Sequence, residues 1–387
     1  FTKAAAGEMR ERIGKALEER LAKEPDNEHL QRQGILLDHA QISTIHGFCT
    51  YVIQNYFHRI SLDPGYRIAD ENELKLMMGD ALKDMLEEEH AEGRAEFLDF
   101  TDAFAAGRED RRLEELIKKV YRFADSDPWP EEWLEGCERV YSVETVEELE
   151  QTEWLRAVAD EAKRLLAGAA EQAGENLKLA EGPGGPKAYL PQVTEDLELV
   201  RNLCRSSGYR ELYEAFQKLK FASLSPKKSP DEDPAVRKRV GENRNALKKA
   251  LDDLKKHFAD SPEEILKELA VCRPHVKELV RLTGRFMEEF SARKRRKNVL
   301  SFSDLEHFAL EILLKRTPEG WERTDAAREL SEHFAEIMID EYQDSNYVQE
   351  YLLEAVAGTG RGVYNRFMVG DMKQAIYSFR QARPGLC

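Results

Sequence analysis

The stretch Ile337-Met338-Ile339-Asp340-Glu341-Tyr342-Gln343-Asp344 decides how this chain is read, together with Phe367-Met368-Val369-Gly370-Asp371-Met372-Lys373-Gln374-Ala375-Ile376-Tyr377-Ser378-Phe379-Arg380 after a short spacer. Each begins as a short apolar strand and ends abruptly in carboxylates and amides. That is the pattern of a parallel strand whose carboxyl end faces a ligand. Asp340 suits a divalent cation, held directly or through water, and Glu341 suits the polarisation of an attacking water, the two needs of nucleoside triphosphate hydrolysis. The plainer alternative is that acidic residues after a strand cap the next helix. Gln374 beyond the second strand makes the pair more specific, because an amide both donates and accepts and can bond a γ-phosphate or the attacking water. Tyr377 and Phe379 offer ring faces on which bases can stack, worth roughly 1–3 kcal/mol per base whatever the sequence, with core packing as the alternative. Arg380 can bind phosphate or pair with the Asp340 and Glu341 carboxylates.

Composition bounds this reading without contradicting it. The 387 residues suffice for two or three domains, and charged residues make up 34% of them. Mean hydropathy is −0.62, which suits a soluble, helix-rich protein and leads us to expect a cytoplasmic one. With 74 acidic against 58 basic residues the net charge is −16, which argues against broad coating of DNA but leaves room for a local basic groove along one strand. No apolar run reaches the ~18 residues that a membrane span needs. Cys49, Cys137, Cys204, Cys272 and Cys387 are scattered with no CxxC spacing, so reduced structural thiols are expected rather than a metal site.

Along the chain, residues 4–23 read as a helix with Met9, Ile13 and Leu17 on one face. Residues 41–44 read as a short strand, and 45–56 as a second helix. After the turn signal Leu62-Asp63-Pro64-Gly65 the pattern becomes that of long amphipathic helices, among them 73–89, 113–123, 152–178 and 246–257. Leu74, Met77, Ala81 and Met85 form an apolar stripe expected in the core. Residues 181–186 and 223–234 are rich in Gly, Pro and charge, and read as exposed or disordered loops inside one helical region. After the basic run Arg293-Lys294-Arg295-Arg296-Lys297 the chain returns to α/β character. The run itself reads as a solvated helix end, with phosphate contact as the sharper alternative. The chain begins at Phe1 and ends at Cys387 without domain punctuation, and is expected to be an excerpt of a longer protein.

The second quoted stretch resembles motif III of superfamily 1A DNA helicases of the UvrD/PcrA/Rep type, and residues 339–346 resemble their motif II, the Walker B element. Residues 1–9 are similar to motif Ia, Ser43-Thr44-Ile45-His46-Gly47-Phe48-Cys49 to motif Ib, and Leu300-Ser301-Phe302-Ser303-Asp304-Leu305 to the short motif before Walker B. Within that family the likeness is greatest to the helicase–nuclease subunits of bacterial AddAB recombination complexes. It rests on residues 62–70, on Phe302-Ser303-Asp304-Leu305-Glu306-His307 and on Gly370-Asp371-Met372-Lys373-Gln374.

The resemblance implies an α/β fold: part of a RecA-like P-loop domain with a parallel sheet (domain 1A, residues 1–62 and 293–387), interrupted by a large helical insertion (domain 1B, residues 63–292). It implies a 3′-to-5′ ATP-dependent helicase acting in double-strand break repair, using ATP and Mg²⁺ on single- and double-stranded DNA beside an AddB-like subunit. Residue by residue, Phe1, Thr2, His46, Tyr377 and Phe379 would contact single-stranded DNA. Asp340 and Glu341 would serve Mg²⁺ and water, and Gln374 with Arg380 the γ-phosphate. No GxxxxGK[ST] phosphate loop occurs in these residues, so the 387 residues alone are not expected to hydrolyse ATP, and the nuclease is expected beyond them. A noncatalytic relative that keeps the fold to bind DNA or a partner is the second reading.

Overall fold

The computed structural model describes residues 3–105, 110–317 and 319–374. By packing, the chain divides into two units, Phe1–Glu135 with Glu278–Cys387, and Gly136–Lys277. This criterion differs from the change in sequence character that marks residues 63 and 292.

The first unit begins with α1 (Lys3–Leu21) packed on α2 (Glu28–Leu37), pinned where the Arg10 guanidinium donates to the carbonyls of Leu37 (2.6 Å) and Ala40 (2.7 Å). Met9 and Ile13 are exposed and no residue of α2 is buried, so the apolar face read in the sequence is not a core face among the described residues. Residues 41–44 form no strand, contrary to expectation. Thr44 is the N-cap of α3 (Ile45–Tyr56), with φ −72°, ψ 162° and its side chain accepting from the Gly47 N–H at 3.1 Å. An N-cap is extended, so Ile42 and Thr44 imitate a strand in sequence while starting a helix. Cys49, Val52 and Ile53 turn α3 into the core.

After β1 (Arg67–Ile68), α4 (Glu71–Glu92) starts at Asp70, whose carboxylate accepts from the N–H groups of Asn72 and Glu73, and stops at left-handed Gly93, φ 62°. Then come α5 (Ala95–Phe104), α6 (Arg111–Asp125) and α7 (Pro130–Tyr141), the last shared between the units.

The second unit continues with α8 (Val146–Gln151), α9 (Glu153–Glu181), α10 (Leu190–Cys204), α11 (Tyr209–Gln217) and α12 (Pro234–Lys255). The long α13 (Pro262–Arg296) is again shared. Its core gathers Leu155, Leu166, Val200, Leu212, Phe216 and Phe258. The segments expected as loose loops are held to one another: the Asp233 N–H donates to the Gly184 carbonyl at 2.8 Å, and Arg237 donates to the carbonyls of Lys227 and Ser225. Arg244, paired with buried Asp196 at 2.5 and 2.9 Å, also donates to Ala222. Backbone carbonyls meeting arginine donors order these residues despite their few apolar side chains.

The chain returns to the first unit, where β2 (Val299–Leu300) pairs parallel with β1. The apolar stripe of α4 packs here, with Met77, Ala81 and Met85 buried against Phe97, Ile117, Phe286 and Phe290 and Leu74 partly buried beside them. Next are α14 (Phe302–Leu313), the antiparallel pair β3 (Leu314–Thr317) and β4 (Gly320–Arg323), α15 (Asp325–His333), β5 (Ile337–Ile339), α16 (Tyr347–Val356) and β6 (Arg366–Met368). β5 and β6 are parallel, with Ile337 opposite Arg366 and Ile339 opposite Met368, and α16 lies between them in the chain. Three two-stranded sheets among the described residues and many helices make a mainly helical protein.

Candidate functional site

The parallel register of β5 and β6 brings the two decisive stretches together at their carboxyl ends. The Val369 N–H donates to the Ile339 carbonyl and the Tyr342 N–H to the Val369 carbonyl, both at 2.9 Å. Between these bonds Asp340 and Glu341 leave the strand. Glu341 is left-handed, φ 54° and ψ 40°, a conformation uncommon for a residue with a Cβ and found mostly where local structure imposes it. Its N–H is held by Asp340 Oδ1 at 2.9 Å, and both carboxylates are exposed.

Gln343, only 1% exposed, sits behind them. Its Nε2 donates to Glu341 Oε2 at 2.6 Å and its Oε1 accepts from the Asp371 N–H at 3.0 Å. A carboxylate can only accept and an N–H can only donate, so the partners dictate which end of the amide is which. Asp371 in turn accepts from Gln374 Nε2 at 3.1 Å and from the Lys373 N–H at 3.0 Å. Glu341, Gln343, Asp371 and Gln374 thus form one hydrogen-bonded chain across the two strand ends.

A second layer fixes the strands beneath. The Tyr342 hydroxyl donates to Glu350, and Arg366 of β6 pairs with Glu350 and Glu354 of α16 at 2.8 and 2.9 Å. Burial, and then the Glu350 carboxylate, push the Tyr342 phenol up to about 12. Arg323 ties the same helix end to β4 through the carbonyls of Glu354 and Ala357 and the Thr359 hydroxyl.

Two adjacent carboxylates at an open strand end fit Mg²⁺, which binds proteins through one or two carboxylates and completes its shell with phosphate and water oxygens. No cluster of three or more His, Cys, Asp or Glu suited to a metal occurs among the described residues, so the donor set does not fit an ion caged by protein alone.

His46 lies in the first turn of α3. Its Nε2 is 3.1 Å from Oε1 of Glu306, a buried carboxylate that also accepts from Gln349 at 2.8 Å. The His46 ring lies 4.6 Å from that of Phe302, which is 53% exposed. Phe302 is placed by its neighbours: Ser301 caps α14 in a capping box with Asp304, and Asp304 is paired at 2.5 Å with buried Lys294. The basic run is therefore partly structural, since Arg293 also bonds Asp84 at 2.6 Å and Arg296 bonds Glu289 at 3.2 Å. Burial, then the charge of Glu306, push the Cys49 thiol well above its usual value. Cys49 is a buried free thiol, Cys204 a partly buried one and Cys272 an exposed one, so of these three only the first two pack as the sequence leads us to expect.

Of the expected site residues, Asp340, Glu341 and Gln374 come together, while His46 belongs to the separate Glu306 cluster. Phe1, Thr2, Tyr377, Phe379 and Arg380 lie outside the described residues. Gln343 was legible only as an extension of the polar edge, and Glu306 only as part of a motif; neither announced its partner in sequence.

The whole chain, strand-end carboxylates, capped motif and Gln374 included, matches over residues 1–387 the family described as UvrD/REP helicase N-terminal domain. The chain belongs to that family. It is 45% identical over its full length to an ATP-dependent helicase/nuclease subunit of Lachnoclostridium phytofermentans, covering 28% of that relative. It is 39% identical to the protein of the same name in Pelotomaculum thermopropionicum and 41% to that in Geobacillus kaustophilus, covering 31% and 32% of them. The chain therefore spans about a third of the length of these relatives.

Proposed function

We propose that this chain is the part of an ATP-dependent DNA helicase–nuclease that activates water against the γ-phosphate and couples that step to single-stranded DNA. The observation that carries the reading is the hydrogen-bonded chain from Glu341 to Gln374 across the ends of two parallel strands. Asp340 would hold Mg²⁺, which when bound neutralises phosphate charge. Glu341 orients and deprotonates water, a role its exposure at the strand end supports. Gln374 and Arg380 would meet the γ-phosphate, and Phe1, Thr2, His46, Tyr377 and Phe379 the single strand. In this reading β5 and β6 belong to a RecA-like sheet of domain 1A, with a helical domain 1B inserted between residues 62 and 293. The whole protein moves 3′ to 5′, acts with an AddB-like subunit in recombinational repair of double-strand breaks, and is cytoplasmic. No helix among the described residues is long and apolar enough to cross a membrane.

The test uses the full-length protein: ATPase with and without single-stranded DNA, and displacement of a strand from duplexes tailed at either end. Stimulated hydrolysis and preference for a 3′ tail are expected. DNA binding without any ATP turnover would favour the noncatalytic module, and preference for a 5′ tail would overturn the polarity.

A further inference from the structure

We infer that Gln343 is a positioning residue that holds the Glu341 carboxylate in its working orientation and couples it to the loop carrying Gln374. The inference rests on the hydrolase reading above. Three observations meet at this side chain. It is buried, although Glu341 and Asp340 before it are exposed. Its two amide ends are committed to different strands' loops, 2.6 Å to Glu341 Oε2 after β5 and 3.0 Å from the Asp371 N–H after β6. Asp371 then holds Gln374 by side chain at 3.1 Å and by backbone at 2.9 Å.

An exposed glutamate on a left-handed residue has several rotamers open to it, and few point its oxygens at one place. A buried amide that donates to one oxygen removes that freedom and leaves the other oxygen for water. The same amide reports displacement: if the loop after β6 moves, the Asp371 N–H pulls on Oε1, and Nε2 at the other end of a rigid planar group moves with it. Gln343 needs no contact with nucleotide, metal or DNA for this, so it acts through Glu341 and Asp371 alone. Simple satisfaction of a buried amide would not require both partners to be on segments bearing the reacting groups.

The experiment compares wild type with Gln343→Met and Gln343→Glu in the full-length protein. Methionine keeps length and volume but makes neither bond. Glutamate can still accept from the Asp371 N–H but repels Glu341. Both should bind a non-hydrolysable ATP analogue and single-stranded DNA separately within about twofold of wild type, while kcat falls about tenfold or more at near-constant KM, the size expected for losing one hydrogen bond to a charged group. In Gln343→Met the effect of the analogue on DNA affinity should shrink toward none, and amide exchange in the peptide containing Asp371 should quicken. In Gln343→Glu that amide should stay protected. If wild type shows DNA-stimulated ATPase while both variants keep its kcat and its coupling of analogue to DNA, the positioning role is wrong and the hydrolase reading stands. If wild type shows no ATPase, the hydrolase reading fails instead. Loss of thermal stability in Gln343→Met leaves the decision to the isosteric Gln343→Glu, where unchanged kcat overturns the inference.

Discussion

Glu341 carries the sharpest expectation at the scale of single residues. Under the proposed function its carboxylate would act on water in the transition state rather than on ground-state nucleotide, so Glu341→Gln in the full-length protein should leave ATP affinity nearly unchanged. Turnover should fall by about two to four orders of magnitude, the usual worth of a general base. Equilibrium nucleotide titration and steady-state ATPase on the same variant check this, and near-normal turnover removes Glu341 from the role. Asp340, Glu341 and Gln374 were legible because acid and amide residues directly after apolar strand residues stand out in a linear sequence. Gln343 and Glu306 were not, because what defines them is burial and a partner supplied from elsewhere: the Asp371 N–H for one, His46 and Gln349 for the other. For His46 the structure adds a competing demand. A ring already engaged with Glu306 and Phe302 contributes to packing as well as to any DNA contact, so loss of DNA binding in a His46 variant needs a stability control.

Among the elements, the helices from 73–89 to 246–257 were readable from apolar spacing and recur as α4, α6, α9 and α12, off only where Thr152 caps α9 and residues 256–257 leave α12 for a 3-10 turn, because a buried stripe imposes its period on the sequence. What spacing could not reveal is how α4 and α13 are joined. Glu89 is fully buried and receives both Arg281 (2.6 and 2.8 Å) and Arg285. Burial pushes its carboxyl up, but hydrogen bonds and charge from the two arginines outweigh burial and leave it below its usual value. The stabilisation is therefore complete above the ordinary carboxylate range and is lost as pH falls through the lower, folded value. Gln in place of Glu89 loses the charge-assisted bonds at the buried end, while Arg281 and Arg285 keep Glu278 and Glu88 as partners, so Glu89→Gln should cost about 1.5–3 kcal/mol near pH 7. The gap between variant and wild type should narrow once pH drops below about 4. Denaturant melts at several pH values check both, and a pH-independent gap would sink the ionic account. The loops are testable in the same way: their mutual hydrogen bonds order them, yet Pro226, Lys227 and Lys228 remain exposed. Brief trypsin treatment of the native protein should cut at Lys227 or Lys228 before any site within α9, and first cleavage inside α9 would contradict its packing.

For these 387 residues, the net charge of −16 and the pairing of arginines and lysines limit how DNA would be held under the proposed function. Arg244, Arg281, Arg285, Arg293, Lys294 and Arg366 are all committed to carboxylates, so the basic run and the helix faces offer less free charge than their composition suggests. The sheet shows a similar limit of sequence reading. The two strands were legible as apolar runs, but Met338 (71% exposed) and Phe367 (63%) lie open, whereas parallel sheets are ordinarily covered on both faces, so among the described residues the proposed RecA-like sheet has one strand pair, β5 with β6, behind it. If charge is scarce, the proposed affinity for single strands would come chiefly from stacking on rings such as Tyr377 and Phe379. Each neutralised phosphate lowers the slope of log affinity against log salt by about 0.7 for single strands, so two or three phosphates give a slope near −2 and a loss of roughly sixteenfold between 50 and 200 mM salt. Replacing both rings by Ala in the nuclease-inactivated full-length protein should weaken binding by roughly 2–6 kcal/mol while leaving that slope unchanged, because stacking releases no counterions. Fluorescence titration of a labelled oligonucleotide across salt concentrations measures both quantities at once. A slope steeper than about −5 would mean a long basic path carries the strand. A double variant that keeps its affinity but loses nucleotide binding would place the two rings in packing near the phosphates and end the coupling argument.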